Sequence, residues 1–227
     1  ALGRNLDVRH SFASYWDAYG ESHPEYFNLL PDGSRRPDPL YWGGSPGLVA
    51  MCVSDPGLQR QVVQRFVDNP MNEDRLTVDA SENDTPGKCL CDACLAWDVR
   101  DPTSAVPFDQ RVEACRAAFE AGDKEWSKAL GSLTDRYCRF WLAVQEEART
   151  RDANAVVLFH GYANYLKPPL SARLNQQLLN SFVPGFLFPW TDAAVAECRD
   201  DWLGWVKAGC SMMLRPNYLD CGHNFPI

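Results

Sequence analysis

The fold of this chain is constrained most by one pattern that recurs along its sequence. A short apolar or β-branched run is followed by a polar loop and then by a stretch with helical periodicity. Such alternation is typical of β/α units that build a parallel sheet. The runs that we interpret as strands lie at 48–53, 76–78, 155–159, 182–188 and 211–214. Pro184 cannot donate a ladder hydrogen bond, so it argues against a regular central strand in the fourth run.

Segments between these runs have the sequence signals of helices. The apolar periodicity that indicates a helix occurs in 58–67, 133–149 and 191–206. Asp55 and Thr191 stand where a helix N-cap is expected, and Gly209 stands where a helix can end in a left-handed conformation.

The number of units and the residues that follow them favour one architecture. A complete eight-fold β/α barrel takes about 250 residues, and the chain has room for most of one. A doubly wound open sheet is the alternative, but no glycine-rich phosphate fingerprint follows the first run. We therefore predict a single α/β domain, 1–227, that forms part of a (β/α)8 TIM-type barrel. The chain starts at Ala1 and stops at Ile227, which we interpret as truncation of a longer protein at both ends.

Composition and charge exclude two classes of partner. The net charge is −8 and no cluster of Lys and Arg stands out, whereas binding to a nucleic acid duplex needs a basic stripe. No apolar run approaches the length of a membrane span.

Polar and aromatic residues follow almost every predicted strand, which is where a β/α barrel builds its active site. They are Asp79, Glu82, Asn83 and Asp84 after the second run, His160, Tyr162 and Tyr165 after the third, Trp190 after the fourth, and Arg215, Asn217, Tyr218 and His223 after the fifth. The N-terminal segment adds His10 and Trp16. Carboxyl groups, amides and aromatic rings together suit a sugar, so we predict a carbohydrate site with no nucleic acid partner.

Glu82 and Asp84 are the predicted catalytic pair of that site. They lie two residues apart, so in an extended backbone their side chains would share a side. Close carboxyl groups move one another's pKa values apart, which leaves one protonated as an acid and one ionised. The alternative is a solvated loop whose acidic residues cap neighbouring helices.

Three cysteines, Cys89, Cys91 and Cys94, form the second dense motif. They could hold a structural zinc, a disulfide or neither. Zinc needs a fourth ligand, none stands at the usual spacing, and Cys115 is the nearest later candidate. We predict no other cofactor.

Several runs together resemble one bacterial domain family. They are His10-Ser11-Phe12, His23-Pro-Glu-Tyr-Phe27 with Asp-Gly-x-Arg35 behind it, Cys52 before Ser-Asp-Pro, Asn83-Asp84 with Cys-x-Cys-x-x-Cys94, and Arg215-Pro-Asn-Tyr218. That family has long been of unknown function, and it overlaps glycoside hydrolase family 163, endo-β-N-acetylglucosaminidases that act on complex N-glycans. The resemblance implies a barrel catalytic domain with flanking domains, in bacterial proteins that are secreted, periplasmic or on the cell surface.

The resemblance also implies a retaining mechanism in which the substrate's own acetamido group attacks the anomeric carbon. In that mechanism Glu82 would protonate the leaving oxygen and Asp84 would steady the acetamido nitrogen. The leading hypothesis is thus a glycosidase for a glycan with a β-linked N-acetylhexosamine or a related polysaccharide. The alternatives are a non-catalytic carbohydrate-binding barrel and a metal-binding module centred on the cysteines.

Overall fold

The computed structural model describes residues 9–71, 74–185 and 190–215, and its centre is a parallel sheet of four strands. The strands are β1 Thr77–Asp79, β2 Val156–Gly161, β3 Leu178–Phe182 and β4 Ser211–Leu214. All neighbouring pairs are parallel, and the spatial order β1-β2-β3-β4 repeats the order along the chain. The predicted α/β class is confirmed.

Helices and short 3₁₀ turns alternate with these strands. The helices are α1 Tyr15–Tyr19, α2 Pro56–Asp68, α3 Asp92–Leu95, α4 Arg111–Glu120, α5 Thr134–Arg149 and α6 Asp192–Ala208. The 3₁₀ turns span Pro24–Tyr26, Pro46–Leu48, Trp126–Leu130 and Ala163–Tyr165. Among the described residues, no helix has the length and apolar character needed to cross a membrane.

The register of the sheet assigns neighbouring residues of β2 to opposite sides. Phe159 pairs with Asn180, and its ring stacks on Trp141 of α5 with centroids 3.6 Å apart. Trp205 of α6 lies against the same ring. His160 pairs with Ser181 and therefore points to the other side of the sheet. Helices α5 and α6 thus cover one side, and the polar strand ends belong to the other.

The predicted helices are confirmed together with their end signals. Asp55 caps α2 through its side-chain oxygen, which accepts a hydrogen bond from the Leu58 amide at 2.8 Å. Thr191 caps α6 in the same way, through the Ala194 amide at 3.1 Å. Gly209 ends α6 at a φ of 109°, a conformation that glycine adopts without steric cost.

Two predicted strands differ from the structure. The fourth strand is β3 Leu178–Phe182 rather than 182–188, because the ladder with β2 ends before Pro184, which has no amide hydrogen to donate. In the run 48–53 only Met51 forms a bridge, an antiparallel one with Phe27. The backbone of that run is instead bound by the chain around Phe27 and by the side chains of Glu82 and Asn83.

Candidate functional site

The loop after β1 is fixed at its start by the carboxyl group of Asp79. Asp79 is buried, and its two oxygens accept hydrogen bonds from the backbone amides of Arg9 and Ser81 at 2.8 and 2.9 Å. Burial raises the pKa of this carboxyl group. Asp79 and His10 also line a cavity of about 390 Å³. Asp79 therefore ties the N-terminal segment and the loop to the end of the sheet.

Glu82 lies below the surface with its carboxyl group turned into the core. Its exposed fraction is 2%, and Oε2 accepts hydrogen bonds from the Tyr137 hydroxyl at 2.8 Å and the Met51 amide at 3.2 Å. Oε1 accepts one from the Asn83 amide at 3.0 Å. Burial raises the pKa of Glu82 to about 7, although these hydrogen bonds act in the opposite direction. Asn83 is equally buried and donates to the Val49 carbonyl at 2.8 Å.

Asp84 is the exposed carboxyl group of the loop. The chain bends here, where the Thr85 amide donates to the Asn83 carbonyl, so Asp84 and Glu82 have different surroundings despite their spacing. Asp84 Oδ1 accepts a hydrogen bond from the Tyr162 hydroxyl at 2.6 Å. Burial, together with the Asp84 carboxylate, raises the pKa of Tyr162.

Two histidines and an arginine stand beside this carboxylate. His160 is buried, and the centre of its ring lies 5.6 Å from the centre of the His10 ring. Burial lowers the pKa of His160 to about 3, and the Arg215 charge acts in the same direction. The ring is therefore neutral, and its Nε2 can accept from Arg215 Nη1 at 3.4 Å. His10 Nδ1 donates to the Glu82 carbonyl oxygen at 2.8 Å.

The remaining residues predicted for the site are distributed as follows. Tyr165 is buried beneath the loop, where it stacks on Tyr137 and donates to the Thr85 carbonyl at 3.3 Å. Trp16 packs edge-on against Phe27, and Trp190 is exposed immediately before α6. Asn217, Tyr218 and His223 lie outside the described residues. The structure thus groups His10, Asp84, His160, Tyr162 and Arg215.

Sequence reasoning missed the aromatic pair Tyr41 and Trp42. The Tyr41 hydroxyl donates to the Asp84 carbonyl at 3.2 Å, and Trp42 is 78% exposed at a φ of 46°. The buried Lys88 contacts Tyr41, with Nζ 3.8 Å from the centre of the ring, and it forms an ion pair with Asp38 at 2.9 Å. The only signal in the sequence was a Tyr-Trp-Gly-Gly run in a polar loop, and no strand precedes it.

The cysteine motif gains its fourth member from a distant part of the chain. The sulfur atoms of Cys52, Cys89, Cys91 and Cys94 all lie within 4.8 Å of one another. Cys115, the fourth ligand considered from spacing, is buried on α4 and is not a member of this group. Spacing pointed downstream, whereas the fold brings in Cys52 from upstream. The Cys52 amide donates to the Tyr26 carbonyl and the Leu90 amide to the Leu29 carbonyl, so both cysteine segments are bound to the stretch 26–29. Four thiols so placed could hold a metal ion.

Comparison with known proteins gives one match. Residues 4–214 match a family described as "Domain of unknown function (DUF4838)". No curated protein and no solved structure matches the chain. The match covers nearly the whole sequence, and the description of the family names no activity.

Proposed function

The chain belongs to this DUF4838 family, and we propose that it is part of a glycoside hydrolase for glycans with a β-linked N-acetylhexosamine. We propose a β/α barrel as its architecture. The strictly sequential order of the four parallel strands supports this, since a doubly wound sheet reverses its strand order at the binding crevice. Polar groups past the carboxyl ends of β1, β2 and β4 stand where a barrel has its active site.

The adjacency of Asp84 and Tyr162 is the observation on which the proposal depends. An acetamido group presents one N–H donor and one carbonyl acceptor. A carboxylate can accept that N–H, and the Tyr162 hydroxyl holds the exposed Asp84 carboxylate through a hydrogen bond of 2.6 Å. The single O–H of Tyr162 can donate to the acetamido carbonyl only after it leaves Asp84. Tyr41 donates to the backbone carbonyl of Asp84 and Trp42 follows it in the chain with an exposed ring, and exposed aromatic rings suit the apolar side of a pyranose ring.

The proposed reaction begins with attack of the acetamido oxygen on the anomeric carbon. The bond to the leaving oxygen breaks, that oxygen takes a proton from an acid, and a cyclic oxazolinium intermediate remains. Asp84 accepts the N–H of the acetamido group and stabilises the positive charge that develops there. Water then attacks the anomeric carbon and opens the ring, its proton returns to the carboxylate that acted as the acid, and the product retains the β configuration.

Glu82 is our candidate for the acid, because burial keeps this carboxyl group protonated up to about neutral pH. Its two oxygens face Tyr137 and backbone amides, so proton transfer requires the turn at residues 82–85 to rearrange when substrate binds. The burial of Glu82 favours a second candidate function as well. In a non-catalytic carbohydrate-binding barrel, Glu82 would support the loop and Asp84 would contact the sugar.

Substitution of Asp84 tests the proposal. Purified protein would be incubated with a panel of N-glycans and of oligosaccharides with N-acetylated or free amino groups, and released sugars would be quantified. We expect the wild type to cleave the N-acetylated substrates and not those with free amino groups. Asp84→Asn should lower the turnover of the N-acetylated substrates by about 10²-fold or more. Asp109→Asn, an exposed carboxyl group before α4, is the matched control and should leave turnover unchanged.

The same assay separates the two candidate functions. Turnover by the wild type supports the hydrolase, whereas sugar binding in calorimetry without cleavage of any glycan supports the binding barrel. Absence of both would contradict the carbohydrate site itself. Because such glycans lie outside the bacterial cell, the proposal includes export of the protein to the periplasm, the cell surface or the medium. It also includes flanking domains in the same protein.

A further inference from the structure

The sulfur atoms of the four clustered cysteines are spaced like the ligands of a tetrahedral metal ion. Cys91 Sγ lies 3.4 Å from Cys89 Sγ and 3.5 Å from Cys52 Sγ, and Cys52 Sγ lies 4.0 Å from Cys94 Sγ. A zinc–sulfur distance of about 2.3 Å places tetrahedral sulfurs about 3.8 Å apart. The three separations lie on either side of that value.

Hydrogen-bond donors are directed at these sulfurs. The Leu29 amide donates to Cys89 Sγ at 3.3 Å, and the Cys94 amide donates to Cys91 Sγ at 3.5 Å. The Ser54 hydroxyl lies 3.1 Å from Cys94 Sγ. Donors to sulfur favour the ionised thiolate, which is the form that binds metal.

A buried guanidinium group near the cluster suits a negatively charged metal–thiolate centre. Arg136 and Arg111 are buried and share a single carboxylate, that of Asp98, at 2.7 and 3.1 Å. Arg136 also donates to the Cys89 carbonyl at 2.9 Å. Arg35 donates to the Phe27 carbonyl, on the residue that pairs with Met51 next to Cys52. Arg136 thus places a buried positive charge next to the segment that holds Cys89.

We propose that Cys52, Cys89, Cys91 and Cys94 bind a structural zinc ion. A zinc ion with four thiolates has a double negative charge, which the nearby guanidinium group of Arg136 favours. Four protein ligands leave no open position, so the ion has a structural and not a catalytic role. This inference is independent of the proposed hydrolase activity.

The position of the cluster indicates what the zinc would stabilise. Cys52 follows Met51, whose amide binds Glu82, while Cys89 closes the loop that begins at the end of β1. Zinc would therefore join the segment that supports Glu82 to the far end of the loop that presents Asp84. Removal of the metal should loosen this loop before it affects the sheet.

Metal analysis of the purified protein tests the inference. We expect about one zinc ion per chain after purification without added metal. Replacement of zinc by cobalt should give the visible ligand-field bands and the sulfur-to-cobalt charge-transfer bands of a tetrahedral thiolate site. Two disulfides within the cluster, found by mass spectrometry after alkylation without reduction, would overturn the proposal, as would metal-free protein whose thiols are all reduced.

Cysteine variants identify the ligands and keep the test decisive if one variant fails to fold. Cys52→Ser and Cys91→Ser should each lose at least about tenfold in zinc affinity in a chelator competition. Cys115→Ala, the ligand suggested by spacing, and Cys198→Ser, a half-buried thiol on α6, should retain wild-type affinity. Should Cys52→Ser be insoluble, the cobalt spectrum of the wild type still decides between four thiolates and fewer. Retained affinity in Cys52→Ser, or loss in Cys115→Ala, would contradict the assignment.

Discussion

The buried carboxyl group of Glu82 should make the stability of the protein depend on pH. Its pKa rises from 4.5 to about 7 because burial separates it from water, and the hydrogen bonds from Tyr137 and two amides offset only part of that effect. Between these two pH values the folded protein holds a proton that the unfolded chain has released. The free energy of unfolding therefore falls as the pH rises through this interval and levels off above about pH 7.

Replacement of Glu82 by Gln removes this titration and allows its size to be measured. One pKa unit corresponds to about 1.4 kcal/mol, so the whole rise corresponds to about 3 kcal/mol, of which about 2.5 kcal/mol falls between pH 5 and pH 8. The glutamine amide would also meet a backbone N–H, which costs about 1–3 kcal/mol at every pH. The titration of Glu82 is therefore read from how the difference in stability between the two proteins changes with pH. The stability of either protein at a single pH does not report it.

Urea unfolding followed by tryptophan fluorescence gives the two stability curves, since Trp126, Trp141 and Trp205 are fully buried. Zinc and ionic strength are held constant. We expect the wild type to lose about 2.5 kcal/mol relative to Glu82→Gln between pH 5 and pH 8. Asp109→Asn should follow the wild type throughout. Parallel curves for the wild type and Glu82→Gln would refute a raised pKa and, with it, the reason for choosing Glu82 as the acid.

Further predictions concern the support of the site and one helix end, each measured as a change in the free energy of unfolding in urea. Lys88→Met should destabilise the protein by about 3–5 kcal/mol, because it leaves the buried Asp38 carboxylate without its cation; a loss below about 1 kcal/mol would mean that this carboxylate is neutral or hydrated. Gly87→Ala should cost about 1–3 kcal/mol, since the added Cβ would lie 2.7 Å from the Tyr137 ring, and an unchanged stability would show that the loop yields freely. Thr191→Ala should cost about 1 kcal/mol through loss of the α6 cap, whereas Thr191→Ser should cost less, and equal losses would contradict a capping role.

Elements whose signals are local were predicted well from the sequence. Helix α6 is an example, because Thr191 and Gly209 mark its ends through interactions within a few residues. Strands β1, β2 and β4 lie within a residue or two of the predicted runs. In each case the apolar pattern and the local conformational preference indicate the same structure.

Features that depend on distant parts of the chain were not predicted. The start of β3 is set by its pairing with β2, and its own sequence, Leu178–Phe182, contains Asn180 and Ser181 and so lacks a strong apolar signal. The burial of Glu82 depends on the Tyr137 hydroxyl, which stands 55 positions away on α5. Hydropathy cannot anticipate a buried carboxyl group whose partners come from other elements.

Alternation along β2 separates two kinds of evolutionary change. Phe159 faces the helices, where a change of volume disturbs packing, while the adjacent His160 faces the strand-end groups, where a change alters chemistry. We therefore expect related domains to diverge in specificity through substitutions at positions like that of His160. Positions like that of Phe159 should change less, because packing against the helices restricts their volume. A family built in this way can acquire new ligands while the scaffold that presents them is inherited unchanged.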